Sequence, residues 1–128
     1  MDAKRLNELS GVVIDAAMQV HTVLGPGLLE NVYKACLAQE LRFRGLRVET
    51  EVALPVYYKG RRVDAAFRID LLVEQELIVE LKAIANMLAV HEAQLLSHLR
   101  FSRKRVGLLI NFNVTHLRDG IKRRVNNL

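Results

Sequence analysis

Two neighbouring segments near the middle of the chain carry side chains that could hold a divalent metal ion. If they form a hairpin with its turn centred on Gln75, Asp70 lies opposite Glu80, and Lys82 lies on the same face. Directly opposed residues have Cβ atoms about 4.5–5.5 Å apart, so the two carboxylates could share one cation. Oxygen ligands suit Mg²⁺ or Mn²⁺, and a water held there beside a lysine ammonium could attack a phosphodiester.

The same residues have a simpler interpretation as a salt-bridge ladder on a solvent-facing sheet. In that case Arg68 and Lys82 would only neutralise the two carboxylates, which is common in antiparallel sheets. Leu72 and Ile78 weaken this interpretation, because apolar residues on this face indicate that it is also covered, and buried carboxylates need partners. The opposite face is wholly apolar and is predicted to be core: Phe67, Ile69, Leu71, Val73, Leu77, Val79, Leu81 and Ala83.

The pattern around this hairpin predicts a mixed α/β domain that spans residues 1–128. Helical spacing occurs over 5–24, 28–44 and 87–102, and strand patterns occur over 48–56, 66–73, 77–83 and 106–112. Gly45 is expected to cap the second helix in a left-handed conformation, and Asn86 is a candidate N-cap for the third. Pro55 indicates an edge strand or a break, while the last strand is apolar enough to be interior. The tail could form a strand or one short helix.

Several motifs resemble a known family. Asp70, nine intervening residues and Glu80-Leu81-Lys82 are similar to the bipartite signature of the PD-(D/E)XK nuclease superfamily. The chain also resembles one bacterial branch, named for the motif GxxExxY, which is Gly27-Leu28-Leu29-Glu30-Asn31-Val32-Tyr33 here. Further matching segments are 24–27, 54–60, 91–96 and 106–112, so the resemblance covers nearly the whole chain. It implies a restriction-endonuclease-like fold, with a mixed central sheet flanked by helices.

The resemblance also implies roles for individual residues. The implied metal ligands for Mg²⁺ or Mn²⁺ are Glu30, Asp70, Glu80 and the backbone carbonyl of Leu81. Lys82 would orient or activate the attacking water, and Gln94 would be an auxiliary polar residue of the catalytic site, one turn after His91. The residue before the aspartate is Ile69 rather than proline, at a position that varies widely in the superfamily.

Each of these residues also has a structural explanation. Glu30 could simply complement the positive end of its helix, and Tyr33 could pack in the core with its hydroxyl bonded to a neighbour, which suits it better than a catalytic role. Gly27 and His91 belong to the motifs without an assigned role. His91, Gln94 and His98 at helical spacing could suggest zinc, but two histidines without a nearby cysteine make a poor zinc site.

Composition favours a polyanionic partner and no membrane. The formal charge is +5 and the pI is about 9.7, with basic runs at Arg100–Arg105 and Lys122–Arg124. Short basic runs are usually solvated surface, so the charge signal is modest. No apolar run approaches the roughly 20 residues that span a bilayer, the first residues lack a signal-peptide pattern, and the single cysteine, Cys36, fits a reducing cytoplasm.

These observations favour a metal-dependent nuclease that cleaves DNA or RNA. The alternative is a non-catalytic nucleic-acid-binding or protein-interaction module on the same fold. A domain of 128 residues has little room for a recognition subdomain. Specificity is therefore expected to come from a homodimer or from a protein partner.

Overall fold

A computed structural model describes residues 1–63 and 67–128 in full, and residues 64–66 only as part of a strand. The helices are α1 (Ala3–Leu24), α2 (Glu30–Phe43) and α3 (Ala89–Ser102). The strands are β1 (Val48–Tyr58), β2 (Arg61–Val73), β3 (Leu77–Lys82), β4 (Val106–Asn111) and β5 (Ile121–Val125). A 3-10 turn over Leu117–Gly120 precedes β5, so the tail contains both of the structures that the sequence left open.

The five strands form one mixed sheet in the order β1-β2-β3-β4-β5. All neighbouring pairs are antiparallel except β3 and β4, which α3 connects as a crossover because parallel strands cannot be joined by a tight turn. β4 lies inside the sheet and is buried along its whole length, which confirms the predicted interior strand. β1 lies at an edge, as Pro55 indicates, and its pairing shifts between Leu54 and Val56.

Local signals account for most element boundaries. Gly45 has a φ of 83° and donates to Arg42 O at 2.9 Å, while Leu46 N donates to Leu41 O, so α2 ends in the Schellman arrangement that its glycine predicts. The expected N-cap of α3 is wrong. Leu88 rather than Asn86 occupies that position, and its backbone N–H donates to His91 Nδ1 at 2.9 Å.

Two apolar cores lie on opposite faces of the sheet. The core beneath α1 and α2, called the α1/α2-side core, includes Leu6, Val13, Tyr33, Leu37, Leu71, Val79, Leu81, Ile110 and Phe112. The core beneath α3, called the α3-side core, comprises Leu54, Ile69, Leu72, Ile78, Leu95, Leu99 and Leu109. Leu72 and Ile78 are thus buried under a helix, and the second face of the hairpin is covered as predicted. Within the fully described ranges, no helix is long and apolar enough to cross a membrane.

The alternation of side chains between the two faces reverses at Glu51 and Asp70. Glu51 has a left-handed backbone, with a φ of 53°, and the regular pairing of β1 with β2 skips this pair. Ile69 consequently packs in the α3-side core while Leu71 packs in the α1/α2-side core. Phe67 also stacks its ring against α3. The prediction that Phe67, Ile69 and Leu71 share one face is therefore wrong.

Candidate functional site

Asp70 lies where the ladder between β2 and β3 ends. Among the described residues, the Cα pairing continues only to Leu71 opposite Val79, in the register that the sequence predicts. Beyond that pair, the backbone N–H of Leu81 donates to Asp70 Oδ2 at 2.8 Å. A side-chain carboxylate thus binds a strand N–H that would otherwise pair with the backbone of β2, which fixes Asp70 beside the Glu-Leu-Lys motif.

A lysine and two glutamates from other elements surround Asp70. Lys34 of α2 places its Nζ 3.5 Å from Asp70 Oδ1 and also bonds to Glu51 of β1. Glu30, one helical turn before Lys34, lies close enough to Asp70 and Lys82 that both charges shift the pKa of its carboxyl. Carboxylates from α2, β1 and β2 therefore meet at one place, together with two lysines.

Burial and neighbouring charge perturb two of these groups. Burial raises the pKa of the Glu30 carboxyl, the negative charge of Asp70 raises it further, and the ammonium groups of Lys82 and Lys34 offset part of the rise. Burial alone would lower the pKa of the Lys34 ammonium, but its bonds to Glu51 and Asp70 raise that pKa overall. The cluster thus holds like charges close together, which is costly without a counter-charge.

The GxxExxY segment positions Glu30 through its tyrosine. The Tyr33 hydroxyl donates to Gly25 O at 2.6 Å and accepts from Leu28 N at 3.1 Å, and its buried ring stacks on Phe112 at 4.6 Å. Gly27 lies between these anchors with a φ of 96°. The tyrosine therefore ties down the loop that leads into α2, and Glu30 is the first residue of that helix. This arrangement confirms the structural explanation for Tyr33.

Glu80 lies on the other side of β3. Its side chain is buried in contact with α3, and its Oε1 is bonded to His98 Nδ1. In the tautomer with a proton on Nδ1, the imidazole N–H donates this hydrogen bond to the carboxylate oxygen. Glu80 and Asp70 thus have different protein partners in this structure.

Lys82 ends β3, and Asn111 fixes the chain beyond it. Phe112 N donates to Lys82 O at 2.9 Å. The buried Asn111 side chain donates to Ile84 O at 2.9 Å and accepts from Ile84 N at 3.1 Å. These bonds hold the segment after Lys82 against β4. They therefore limit the positions that the Lys82 side chain can take relative to Glu30.

Gln94 and His91 both lie on α3. Gln94 is exposed, and His91 accepts the hydrogen bond from the N-cap residue of α3. His91 therefore has a capping role, and no contact within residues 1–63 and 67–128 links Gln94 to Asp70. The auxiliary catalytic role of Gln94 stays a prediction.

A cleft of about 300 Å³ opens beside the charge cluster. It is lined by Asn31, Lys34, Ala35, Thr50 and Glu51. The cleft leads from solvent to the lysine that contacts Asp70, so a charged ligand could approach the cluster from this side.

A family model matches residues 7–124, nearly the whole chain, and its description is the PD-(D/E)XK nuclease superfamily. The chain belongs to this superfamily. The α/β fold with a mixed sheet between helices, predicted from the sequence, is confirmed by the match and by the structure. Neither a search of curated proteins nor a search of solved structures finds a match.

Nucleases of the PD-(D/E)XK superfamily usually use divalent metals, and part of the donor set here suits one. Asp70 and Glu30 carry carboxylate oxygens of the kind that divalent metals prefer, and a cation would relieve their mutual repulsion. The carbonyl of Leu81 points to the same side of β3 as its N–H, toward Asp70. Glu80 is turned toward His98 instead. Within the described residues, no three His, Cys, Asp or Glu side chains lie grouped for metal binding.

Sequence patterns did not identify Lys34, Glu51 or the contact of His98 at this site. Lys34 follows Tyr33 directly and lies four residues after Glu30, a spacing that could have identified it. His98 was considered only as a zinc ligand. Its contact with Glu80 joins residues from α3 and β3, and no local pattern signals it.

Proposed function

We propose that the protein is a Mg²⁺- or Mn²⁺-dependent nuclease that hydrolyses phosphodiester bonds in DNA or RNA. One observation supports this most directly. Within a nuclease superfamily, the Asp70 carboxylate is bonded to the Glu-Leu-Lys motif and lies beside the acid and the lysines that α2 and β3 contribute. A bound divalent ion would supply an activated water and neutralise charge on the phosphate.

In this proposal each residue of the chain has a separate task. Glu30, Asp70 and the Leu81 carbonyl would hold the ion, and Glu80 would join them on giving up its bond to His98. Lys82 orients the attacking water or stabilises the negative charge that develops on the phosphate. Lys34 keeps the Asp70 carboxylate in place through its ammonium. Tyr33 acts indirectly, since it fixes the loop before Glu30.

The proposal extends to the finer classification and setting of the protein. We propose that the chain belongs to the GxxExxY branch, which is bacterial, because Gly27, Glu30 and Tyr33 are present at the motif spacing and the Tyr33 hydroxyl fixes the loop before Glu30. We also propose that residues 1–128 form one cytoplasmic domain. A second copy or a protein partner would supply specificity.

A cleavage assay tests this function. Labelled DNA and RNA, single- and double-stranded, are incubated with Mg²⁺, Mn²⁺ or EDTA, and Asp70→Ala is assayed in parallel. We expect metal-dependent cleavage by the wild type and its loss in the variant. Thermal melting with Mn²⁺ provides a readout without turnover, because relief of the carboxylate repulsion should raise the melting temperature of the wild type but not of Asp70→Ala.

The second candidate is a nucleic-acid-binding or protein-interaction module without turnover. The bond between Glu80 and His98 favours it, because a carboxylate engaged in this way leaves Glu30 and Asp70 as the acidic side chains of the proposed ligand set that remain available to a metal. Binding of nucleic acid without cleavage under any divalent metal, together with an unchanged melting temperature in Mn²⁺, would establish this module instead.

A further inference from the structure

The positive charge of the protein is concentrated at its C-terminal end. Residues 97–128 contain eight Lys or Arg and one Asp, so they carry a formal charge of +7. Residues 1–96 contain eleven Lys or Arg against thirteen Asp or Glu and carry −2. The excess charge of the whole protein therefore comes from α3, β4, β5 and their connections.

The fold brings most of these cations together along one edge of the sheet, at and beside β5. The turn between α3 and β4 lies beside the end of β5, because Asn126 N donates to Arg105 O at 2.8 Å and Val106 pairs with Val125. The last turn of α3 adds a further cation. We call this the C-terminal basic surface: Arg100, Arg103, Lys104, Arg105, Lys122, Arg123 and Arg124.

Only part of this charge is used within the protein. Arg124 pairs with Glu92, and Arg123 and Arg105 bond to uncharged oxygens of Asn7 and Met1. Four cations make no ion pair with any described residue: Arg100, Arg103, Lys104 and Lys122. Charges on an edge strand also discourage pairing with other chains. Edge protection does not explain the cations on α3 and in its turn.

The surface is connected in register with Glu80, on the side of the sheet that α3 covers. Glu80 pairs with Leu109, which pairs with Lys122, so the lysine lies two strands from Glu80 in the same row. With strands about 4.8 Å apart, this separation is about 10 Å. Lys122 and Arg124 share this side of β5, whose end lies beside the turn that contains Arg103 to Arg105.

We propose that the C-terminal basic surface binds the phosphate backbone of a nucleic acid on one side of the cleavage site. This inference rests on the proposed function for the identity of the partner. Cations gathered at one edge of the sheet neutralise backbone phosphates, and such contacts bind without reading sequence. The small domain thereby gains affinity without a separate recognition subdomain.

The test measures binding of a short duplex DNA in EDTA, so that neither metal nor cleavage contributes. The variant Arg103→Gln/Lys122→Gln removes two exposed cations that have no ion pair in the described structure. The matched control, Arg61→Gln/Arg62→Gln, removes two exposed cations at the start of β2. We expect the slope of log K against log salt to fall by about 1.8 in the first variant, with a roughly tenfold weaker Kd at low salt, and to remain unchanged in the control.

Three results would overturn the proposal: an equal loss in both variants, no change in the first variant, or displacement of the DNA by polyglutamate as effectively as by a second DNA. Repetition with duplex RNA identifies the source of the phosphate backbone, and a reduced slope with either nucleic acid supports the surface. Cleavage without this slope change would refute the surface alone. If the slope changes but the protein does not cleave with any divalent metal, the proposed nuclease function is refuted and the basic surface is retained.

Discussion

The carboxylates on the two faces of the central hairpin differ in burial and in hydrogen-bond partners. On the face toward α2, Asp70 bonds to Leu81 N and to the Lys34 ammonium and lies near an open cleft. On the face toward α3, Glu80 is buried and bonded to His98. The contrast shows that the role of a strand carboxylate depends on the helix packed above it. Strand alternation alone does not reveal that role.

The energetic consequences also differ. Groups near an open cleft are stabilised by water and by several charges, so the loss of one neighbour is partly compensated. A buried carboxylate with a single partner has no such compensation, because removing the partner leaves an unpaired charge in an apolar environment. We therefore expect activity to depend on the α2 face, and stability to depend more strongly on the α3 face.

The largest expected effect is on cleavage through Lys82. Lys82→Ala should reduce the rate by about 10³-fold while metal-induced stabilisation persists, because the lysine acts on the water or the phosphate rather than on the ion. Lys34→Ala is the matched control, which removes an ammonium from the same cluster and should lose less than about tenfold. Single-turnover cleavage rates test the pair. Equal losses would show that the two lysines act only through total charge.

The contrast in stability is tested through His98. His98→Ala should lower the free energy of unfolding by about 3 kcal/mol, since it leaves Glu80 buried without a partner. Urea denaturation measures the change. Glu80→Leu/His98→Leu replaces both polar groups by apolar ones and should recover most of the loss. A double variant as unstable as His98→Ala would show that packing of the ring, rather than its bond to Glu80, stabilises this face.

Removal of the Tyr33 hydroxyl should have a smaller effect. Tyr33→Phe keeps the stacked ring and loses two hydrogen bonds to the loop before α2, at a cost of about 1–2 kcal/mol. Denaturant unfolding measures the loss, and the exposed Tyr57→Phe serves as control. We also expect weaker Mn²⁺ binding, because Glu30 follows this loop. Unaltered stability would mean that the two hydrogen bonds of the Tyr33 hydroxyl do not position the loop.

The smallest effect concerns pH. Because the pKa of Glu30 is raised above its ordinary value of 4.5, its protonated form favours folding, and this contribution is lost as pH rises through the folded-state pKa. In EDTA, Glu30→Gln should therefore raise the melting temperature by about 1–3 °C at neutral pH and have little effect at pH below that ordinary value. Melting curves across pH test this sign. A lower melting temperature at neutral pH would indicate that the Lys34 and Lys82 charges dominate.

The sequence predicts the secondary structure and hairpin register better than the site geometry. Hydrophobic periodicity places α1, α2 and the two hairpin strands, because each segment has one buried face. It misses the reversal at Asp70, since a left-handed Glu51 has no sequence signature comparable to glycine. It also misses the Glu80–His98 bond, because that contact depends on how α3 crosses the sheet.

Because α3 connects β3 to β4, the two sides of the candidate site can fold at different times during synthesis. The residues from Glu30 to Lys82 leave the ribosome before α3 and β4, and their two hairpins need only local pairing. Parallel pairing of Leu77 with Val106 must wait for the later segment. During synthesis, Glu80 therefore lacks its histidine and is open to water. We expect the Asp70 side to organise first, and the Glu80 side to close only when the last third of the chain docks.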